Sequence, residues 1–462
     1  MLEGELPVSR QDGEIFSRTE LAEGWRLACR ARAHTSLRLN CAPWEMEILS
    51  DDTPSRSLGC GGLGVAIDVG TTTVVAQLCD LKSGQLLGQR SALNPQTMHG
   101  ADVMSRVRFA LSSVELTRII QEFIGLLIAD LAAGREAEVT EVLLAGNTVM
   151  HHLFAGLDVQ PLAHVPFASA HLGEQHFSAK SLGWKLDEST AIRFLPCIGG
   201  FVGSDILAGL FAIGLHNRRE LCALIDLGTN GEIVVGNRNR ILCASTAAGT
   251  AFEAGSIKMG MRAATGAVSR AFVGDGVLGC GVVGGGQPRG ICGSGLVDAV
   301  AAGLELGTIL PSGRLSDAAK TFPITGPVQL WQSDIRELQL AKAAIASGMR
   351  ILLNRWGAVA GDLEQVYLAG AFGNYIRPCS AVKIGMLEMD VERVVAAGNT
   401  ALRGTKMLFG RERPLQLDRI EHISLAAEPR FQDFFIECLD FPGGSRRHSL
   451  QMKKQGEVRA GS

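Results

Sequence analysis

The amino-acid sequence predicts an α/β protein made of two related halves around a central cleft. Three observations carry that expectation. Strand and helix signals alternate with glycine-rich turns from about residue 63 to about residue 440, the pattern of repeated strand–helix units. One strand–turn–strand plan occurs twice, at 64–87 and again at 222–245. The chain is also long and apolar enough to bury more than one core, with 462 residues of which 46% are hydrophobic and 20% charged.

Taken in order, residues 1–62 are polar and mixed and end in DDTPSRSLGCGG (51–62), whose turn-forming composition is that of a linker. The first half is expected over 63–215 and the second over 216–441, and the polar tail 442–462 is expected to be disordered. A net charge of −3 gives no basic field for nucleic acid. The start MLEGELPVSRQDGE lacks the basic and apolar regions of a signal peptide, and no uncharged apolar run reaches membrane-spanning length. The expectation is a cytoplasmic protein with neither nucleic acid nor membrane as partner. No two of the eleven cysteines form a C-x-x-C pair, so buried reduced thiols are expected rather than a locally spaced metal site.

The repeat carries the chemistry. GVAIDVGTTTVVAQLCDLKSGQLL (64–87) and CALIDLGTNGEIVVGNRNRILCAS (222–245) share an apolar strand, D-x-G-T, a second strand, a short turn and a third strand. Asp68 and Asp226 stand a domain's length apart, too far for a short structural repeat. In such a turn the backbone N–H groups around Gly70 and Gly228, with the hydroxyls of Thr71, Thr72, Thr73 and Thr229 and the amide of Asn230, make a donor array for phosphate oxygens. An aspartate cannot bind phosphate, and Asp68 and Asp226 are instead expected to hold Mg²⁺, directly or through its waters. Two such turns facing each other clamp one nucleotide. No G-x-x-x-x-G-K-[ST] occurs, and GCGGLG (59–64) precedes a strand instead of following one, so neither of the common phosphate loops is supported.

Paired D-x-G-T hairpins resemble the actin-like ATPase superfamily, which implies two ribonuclease-H-like halves around an ATP cleft. EVLLAGNTVMHHLFAG (141–156), with Gly146 and Asn147, resembles the last strand of the first half and its following helix. Asn147 also reads simply as a helix cap, and adjacent His151 and His152 face apart, which disfavours a metal pair. LPCIGGFVGSDILAGLFAIGL (195–215) resembles the segment that orients the attacking water, with Asp205 as the candidate; Ser204 and Asp205 read equally as cap and first-turn acid. EQVYLAGAFGNYI (364–376) resembles the adenosine turn through Gly370, Ala371 and Gly373, and Gly293 and Ser294 are further candidates to touch nucleotide.

A closer resemblance covers about residues 20–440. ALNPQTMHGADVMSRV (92–107), LAGNTVMHHLFAG, DLGTNGEIVVG, STAAGTAFEAGSIKMGMRAATGAV (245–268), CGSGLVDAV and LAGAFGNYI resemble the ATP-dependent reductive activators of corrinoid proteins. That family implies an ATPase that returns cob(II)alamin to cob(I)alamin, a corrinoid iron–sulfur protein or corrinoid methyltransferase subunit as partner, and a homodimer. Two departures stand out. GWRLACRARAHTSL (24–37) resembles the end of the family's N-terminal ferredoxin, with Cys29 in the place of its last ligand, yet residues 1–28 hold no cysteine and Cys41 and Cys60 have the wrong spacing. Thr250 stands where the family string has proline, ahead of Glu253. The expectation is therefore ATP and Mg²⁺ as cofactors, no iron–sulfur cluster in this chain, a short ferredoxin remnant and linker before the two halves, and an external ferredoxin-like electron donor. A nucleotide-dependent, non-redox binding protein of chaperone type and a small-molecule kinase stay open as alternatives.

Overall fold

The computed structural model describes residues 4, 6–15, 18–22, 24–26, 35–38, 49–59, 61–252, 255–316, 320–411 and 417–443. Cys29, Cys41, Cys60, Glu253 and all but the first two residues of the 442–462 tail lie outside the described residues, as does the side chain of Thr250.

The first sheet has six strands, β1 (Leu63–Val69), β2 (Thr73–Asp80), β3 (Leu86–Leu93), β4 (Val139–Ala145), β5 (Gln175–Phe177) and β6 (Ala191–Phe194), in the order β3-β2-β1-β4-β6-β5. β1 pairs antiparallel with β2 and parallel with β4. β1 and β4 are buried along nearly their whole length, because helices cover both faces of the sheet, and they read as continuous apolar runs without alternation.

The second half repeats this plan. Its strands are β7 (Cys222–Leu227), β8 (Gly231–Gly236) and β9 (Ile241–Thr246), followed by a three-stranded sheet of β10 (Ala267–Gly274), β11 (Val277–Val282) and β12 (Gly290–Ile291), and by the hairpin β13 (Thr321–Thr325) and β14 (Val328–Trp331). β15 (Gln365–Ala369), β16 (Val394–Gly398) and β17 (Ile420–His422) then complete a six-stranded sheet ordered β16-β15-β7-β8-β9-β17. β7 is antiparallel to β8 and parallel to β15, as β1 is to β2 and β4. The duplicated motif therefore occupies the same place in each sheet.

The helices that close the halves are exchanged. Ile206, Leu210 and Ile213, in and just after helix Ser204–Ala212, pack on Cys222, Leu224, Val234 and Tyr367 of the second sheet. Leu402, Leu408 and Phe409, in and just after helix Thr400–Met407, pack on Ala66, Val75, Cys79 and Leu143 of the first. The two helices cross with a Cβ-free approach at Gly404, where any side chain would overlap the Ala208 carbonyl. This crossing joins the two halves directly beneath the cleft. Among the described residues, no helix is long and apolar enough to cross a membrane.

Candidate active site

Both D-x-G-T turns open onto one cavity of about 480 Å³. Thr72 and Thr229, one from each turn, approach each other across it with their hydroxyl oxygens 3.4 Å apart. The first turn is held from behind. Asn94 Nδ2 donates to the Gly70 carbonyl at 2.8 Å, buried Arg106 Nη2 to the Thr71 carbonyl at 2.6 Å, and Asn147 Nδ2 to Thr71 Oγ1 at 2.9 Å. Those contacts, with Asn94 N donating to the Thr72 carbonyl at 2.9 Å, occupy the carbonyls of Gly70, Thr71 and Thr72. Asn147 also caps helix Thr148–Ala155, accepting from Met150 N, so the capping role and the contact with the turn belong to the same side chain.

Of the residues singled out from the sequence, Asp68, Gly70, Thr71, Thr72, Thr73, Asn147, Asp205, Asp226, Gly228, Thr229, Asn230, Gly293, Ser294, Gly370 and Ala371 line this cavity. Gly146 and Gly373 do not. Gly146 lies behind the wall, where Ser204 Oγ bridges its N–H and carbonyl at 3.1 Å and a Cβ would press on the Val69 carbonyl. Its role is to let two chain segments meet. Gly373 is buried under Leu227 and Leu368. Gly370 is different: its φ is +83°, and a Cβ there would collide with Asp226 Oδ1 and the Leu227 carbonyl, so only glycine fits beside that carboxylate.

The acids do not sit at a freely solvated turn. Asp68 and Asp226 are the penultimate residues of central strands and Asp205 occupies the first turn of helix Ser204–Ala212, and all three are half-buried and line the cavity. Burial raises the Asp68 carboxyl to about 6, against the opposing hydrogen bond from Asn399 Nδ2 at 2.9 Å. Burial and then the charge of Asp68 raise Asp226 to about 7. Asp205 rises to about 8 through burial, then through Asp226 and, more weakly, Asp68. A fourth acid, Glu232, was missed in the sequence: it faces Asp226 across the β7–β8 ladder, accepts from Ser245 Oγ at 3.1 Å, and is pushed well above its usual range by burial and by Asp205 and Asp226. Its counterpart beside Asp68 is Val75.

Asn399 was missed as well, although a signal for it exists. The string A-G-N-T occurs at 145–148 and at 397–400, and each asparagine caps a helix with its Oδ1 while its amide reaches a phosphate-turn residue. Arg262, Phe372 and Tyr375 are further cavity residues. His151 and His152, expected to face apart, are both fully buried with their Nδ1 atoms 3.4 Å apart; His151 Nε2 bonds the Gly173 carbonyl, His152 Nε2 bonds Ser169 Oγ, and His152 Nδ1 also bonds the Thr148 carbonyl. Burial lowers the pKa of both, His151 to about 4. Among the described residues no group of three or more histidine, cysteine or acidic side chains closes into a metal cage. The convergence of Asp68 and Asp226 on the phosphate turns, each carboxyl raised by burial, fits an ion that takes one or two carboxylates and completes its shell with water and phosphate.

A duplicated sheet with facing phosphate turns and exchanged closing helices defines the actin-like ATPase fold, the ASKHA class. Residues 220–451 match the family described as the C-terminal domain of RACo, the ASKHA domain, and residues 63–218 match the RACo middle region. The chain belongs to the RACo family. It is 34% identical to a corrinoid activation enzyme, RamQ, of Eubacterium limosum, over 81% of this chain and 69% of that one. It is 26% identical to a [Co(II) methylated amine-specific corrinoid protein] reductase of Methanosarcina barkeri, over 81% and 76%. The solved structure of a reductive activator for corrinoid, iron–sulfur protein superposes with a TM-score of 0.72 at 31% identity, covering 83% of this chain and 66% of that one. The chain thus spans about two thirds of the length of that solved relative.

Proposed function

We propose that this chain is the ATP-hydrolysing part of a corrinoid-protein activator, which couples nucleotide turnover to reduction of cob(II)alamin to cob(I)alamin with electrons from a separate ferredoxin-like donor. The observation that carries it is the approach of Thr72 and Thr229 across a cavity whose floor holds Asp68, Asp205 and Asp226. The names of the relatives support the corrinoid substrate.

The residues divide the work. Backbone N–H groups and hydroxyls of the two turns bind the phosphate chain from both sides. Gly293, Ser294, Gly370 and Ala371 line the part of the cavity assigned to the nucleoside. Asp68 and Asp226 would hold Mg²⁺, which supplies positive charge to the phosphate oxygens when bound. Asp205 orients the attacking water. ATP and water give ADP and phosphate, and one electron passes from the donor's iron–sulfur centre to cobalt(II), giving cobalt(I). A homodimer is part of this proposal, tested by mass in light scattering.

The test is Mg²⁺-dependent phosphate release by the purified chain, alone and with a cob(II)alamin-loaded corrinoid protein. Turnover is expected, stimulated by the corrinoid protein and abolished in Asp226→Ala. Turnover that ignores the corrinoid protein but responds to a sugar or carboxylic acid would instead favour the kinase alternative.

A further inference from the structure

The stretch 51–62 reads as a linker, but its first half is built into the ATPase fold. The ammonium of Lys406, on helix Thr400–Met407, is fully buried and donates to the Asp51 carbonyl at 2.7 Å, to Asp51 Oδ1 at 2.9 Å and to the Thr53 carbonyl at 2.6 Å. All three acceptors come from two residues of the supposed linker, Asp51 and Thr53. Gln77 Nε2, also buried, donates to the same Asp51 carbonyl at 2.8 Å. Further along, Ser55 N donates to the Gly84 carbonyl and Leu58 N to the Leu81 carbonyl, both at 2.8 Å, which seats the segment on the β2–β3 turn. A buried lysine is tolerated only with such complete compensation. A flexible connection would not need it.

The segment also reaches the cleft. Leu49 lines the cavity, and its carbonyl accepts at 3.4 Å from the Asn399 amide that holds Asp68. On its N-terminal side the chain touches the other half, where the Arg289 guanidinium stands 5.2 Å from the centre of the Trp25 ring. Trp25 therefore lies against the second half, while residues 51–58 are fastened to the first and Leu49 stands at the cavity.

We propose that residues 49–58 are a clasp that couples occupancy of the nucleotide cleft to the placement of the N-terminal segment, with Lys406 as its positioning residue. The proposal rests on nucleotide binding in the cleft. Ligand that draws the halves together moves the Asp68–Asn399–Leu49 connection, while the Lys406 anchor fixes the clasp to the helix at the crossing of the halves. The consequence is a nucleotide-dependent position for whatever lies N-terminal to Leu49.

Peptide-resolved hydrogen exchange on the full chain, with and without saturating Mg²⁺–ADP and with binding measured separately by calorimetry, tests this. Exchange at Thr53, Ser55 and Leu58 is expected to slow at least tenfold when nucleotide binds. In the charge-balanced double variant Asp51→Asn with Lys406→Met, exchange over 49–58 should be fast in both states and nucleotide affinity should fall about tenfold. Binding heat in the wild-type chain without protection of 49–58 would overturn the clasp and leave the nucleotide assignment standing; absence of heat would overturn both. Should the double variant fail to fold, the wild-type comparison decides alone.

Discussion

Asn399 caps a helix with its oxygen and reaches Asp68 and the Leu49 carbonyl with its amide, and two substitutions pull the cap apart from the amide contacts. Its Oδ1 accepts from Leu402 N at 2.8 Å and caps helix Thr400–Met407, while its Nδ2 donates to Asp68 Oδ2 at 2.9 Å. Asn399→Ala loses both. A lost cap costs about 1 kcal/mol, and a lost hydrogen bond to a buried acceptor about another 1 kcal/mol, so the variant should be less stable by about 2 kcal/mol. Asn399→Asp keeps the cap, because aspartate caps as well as asparagine. It instead sets a second carboxyl against Asp68, whose carboxyl is already raised to about 6, and the pair must share a proton at neutral pH. Urea denaturation should show Asn399→Asp within about 1 kcal/mol of wild type, and calorimetry should show its Mg²⁺–nucleotide affinity reduced at least tenfold. Wild-type affinity in Asn399→Asp would refute the placement of Asp68 at the cation, and unchanged stability in Asn399→Ala would refute the dual role.

Other outcomes follow from the same geometry. Gly370→Ala must place a Cβ at φ +83° against Asp226; the left-handed backbone alone costs about 1–2 kcal/mol, and calorimetry should show nucleotide affinity falling more than tenfold. His151 is held neutral by burial, its value lowered to about 4, with His152 adding repulsion and the Gly173 carbonyl opposing. The unfolded chain takes up a proton near pH 6.5 and the folded one near 4, so stability is full above 6.5 and is lost as pH falls through that window. Between pH 8 and pH 5 the loss from this group is roughly 2 kcal/mol. Urea midpoints across that range should show it, and His151→Gln should remove most of it, leaving the part due to His152.

Much of the cleft was legible in the sequence because its parts are local. A D-x-G-T turn states its own conformation and donors within a few residues, and its recurrence at 226 places the second turn opposite the first once both strands take the centre of equivalent sheets. Glu232 was missed because it lies in the apolar run GEIVV and comes to line the cavity only through the register that sets it opposite Asp226. The exchange of the closing helices is equally silent in the sequence, since helix Ser204–Ala212 is apolar on nearly every side and does not announce which sheet it covers. Asp51 and Lys406 are the clearest case. Each reads as an ordinary charged surface residue, and only the fold, which brings positions 51 and 406 together in the core, turns them into an anchor. Gly146 and Gly373 belong to motifs at the cleft but are packed against backbone and side chains behind its lining.

The most direct measurement follows cobalt itself. Under anaerobic conditions, a cob(II)alamin-loaded corrinoid protein, a reduced ferredoxin and this chain are mixed, and the cob(I)alamin absorption band is recorded before and after Mg²⁺–ATP is added. Cob(I)alamin should accumulate only after ATP is added, with the wild-type chain present, and neither ADP nor the Asp226→Ala chain should support it. Reduction that proceeds equally without ATP, or that the Asp226→Ala chain supports as well as wild type, would contradict the coupling of this cleft to corrinoid activation.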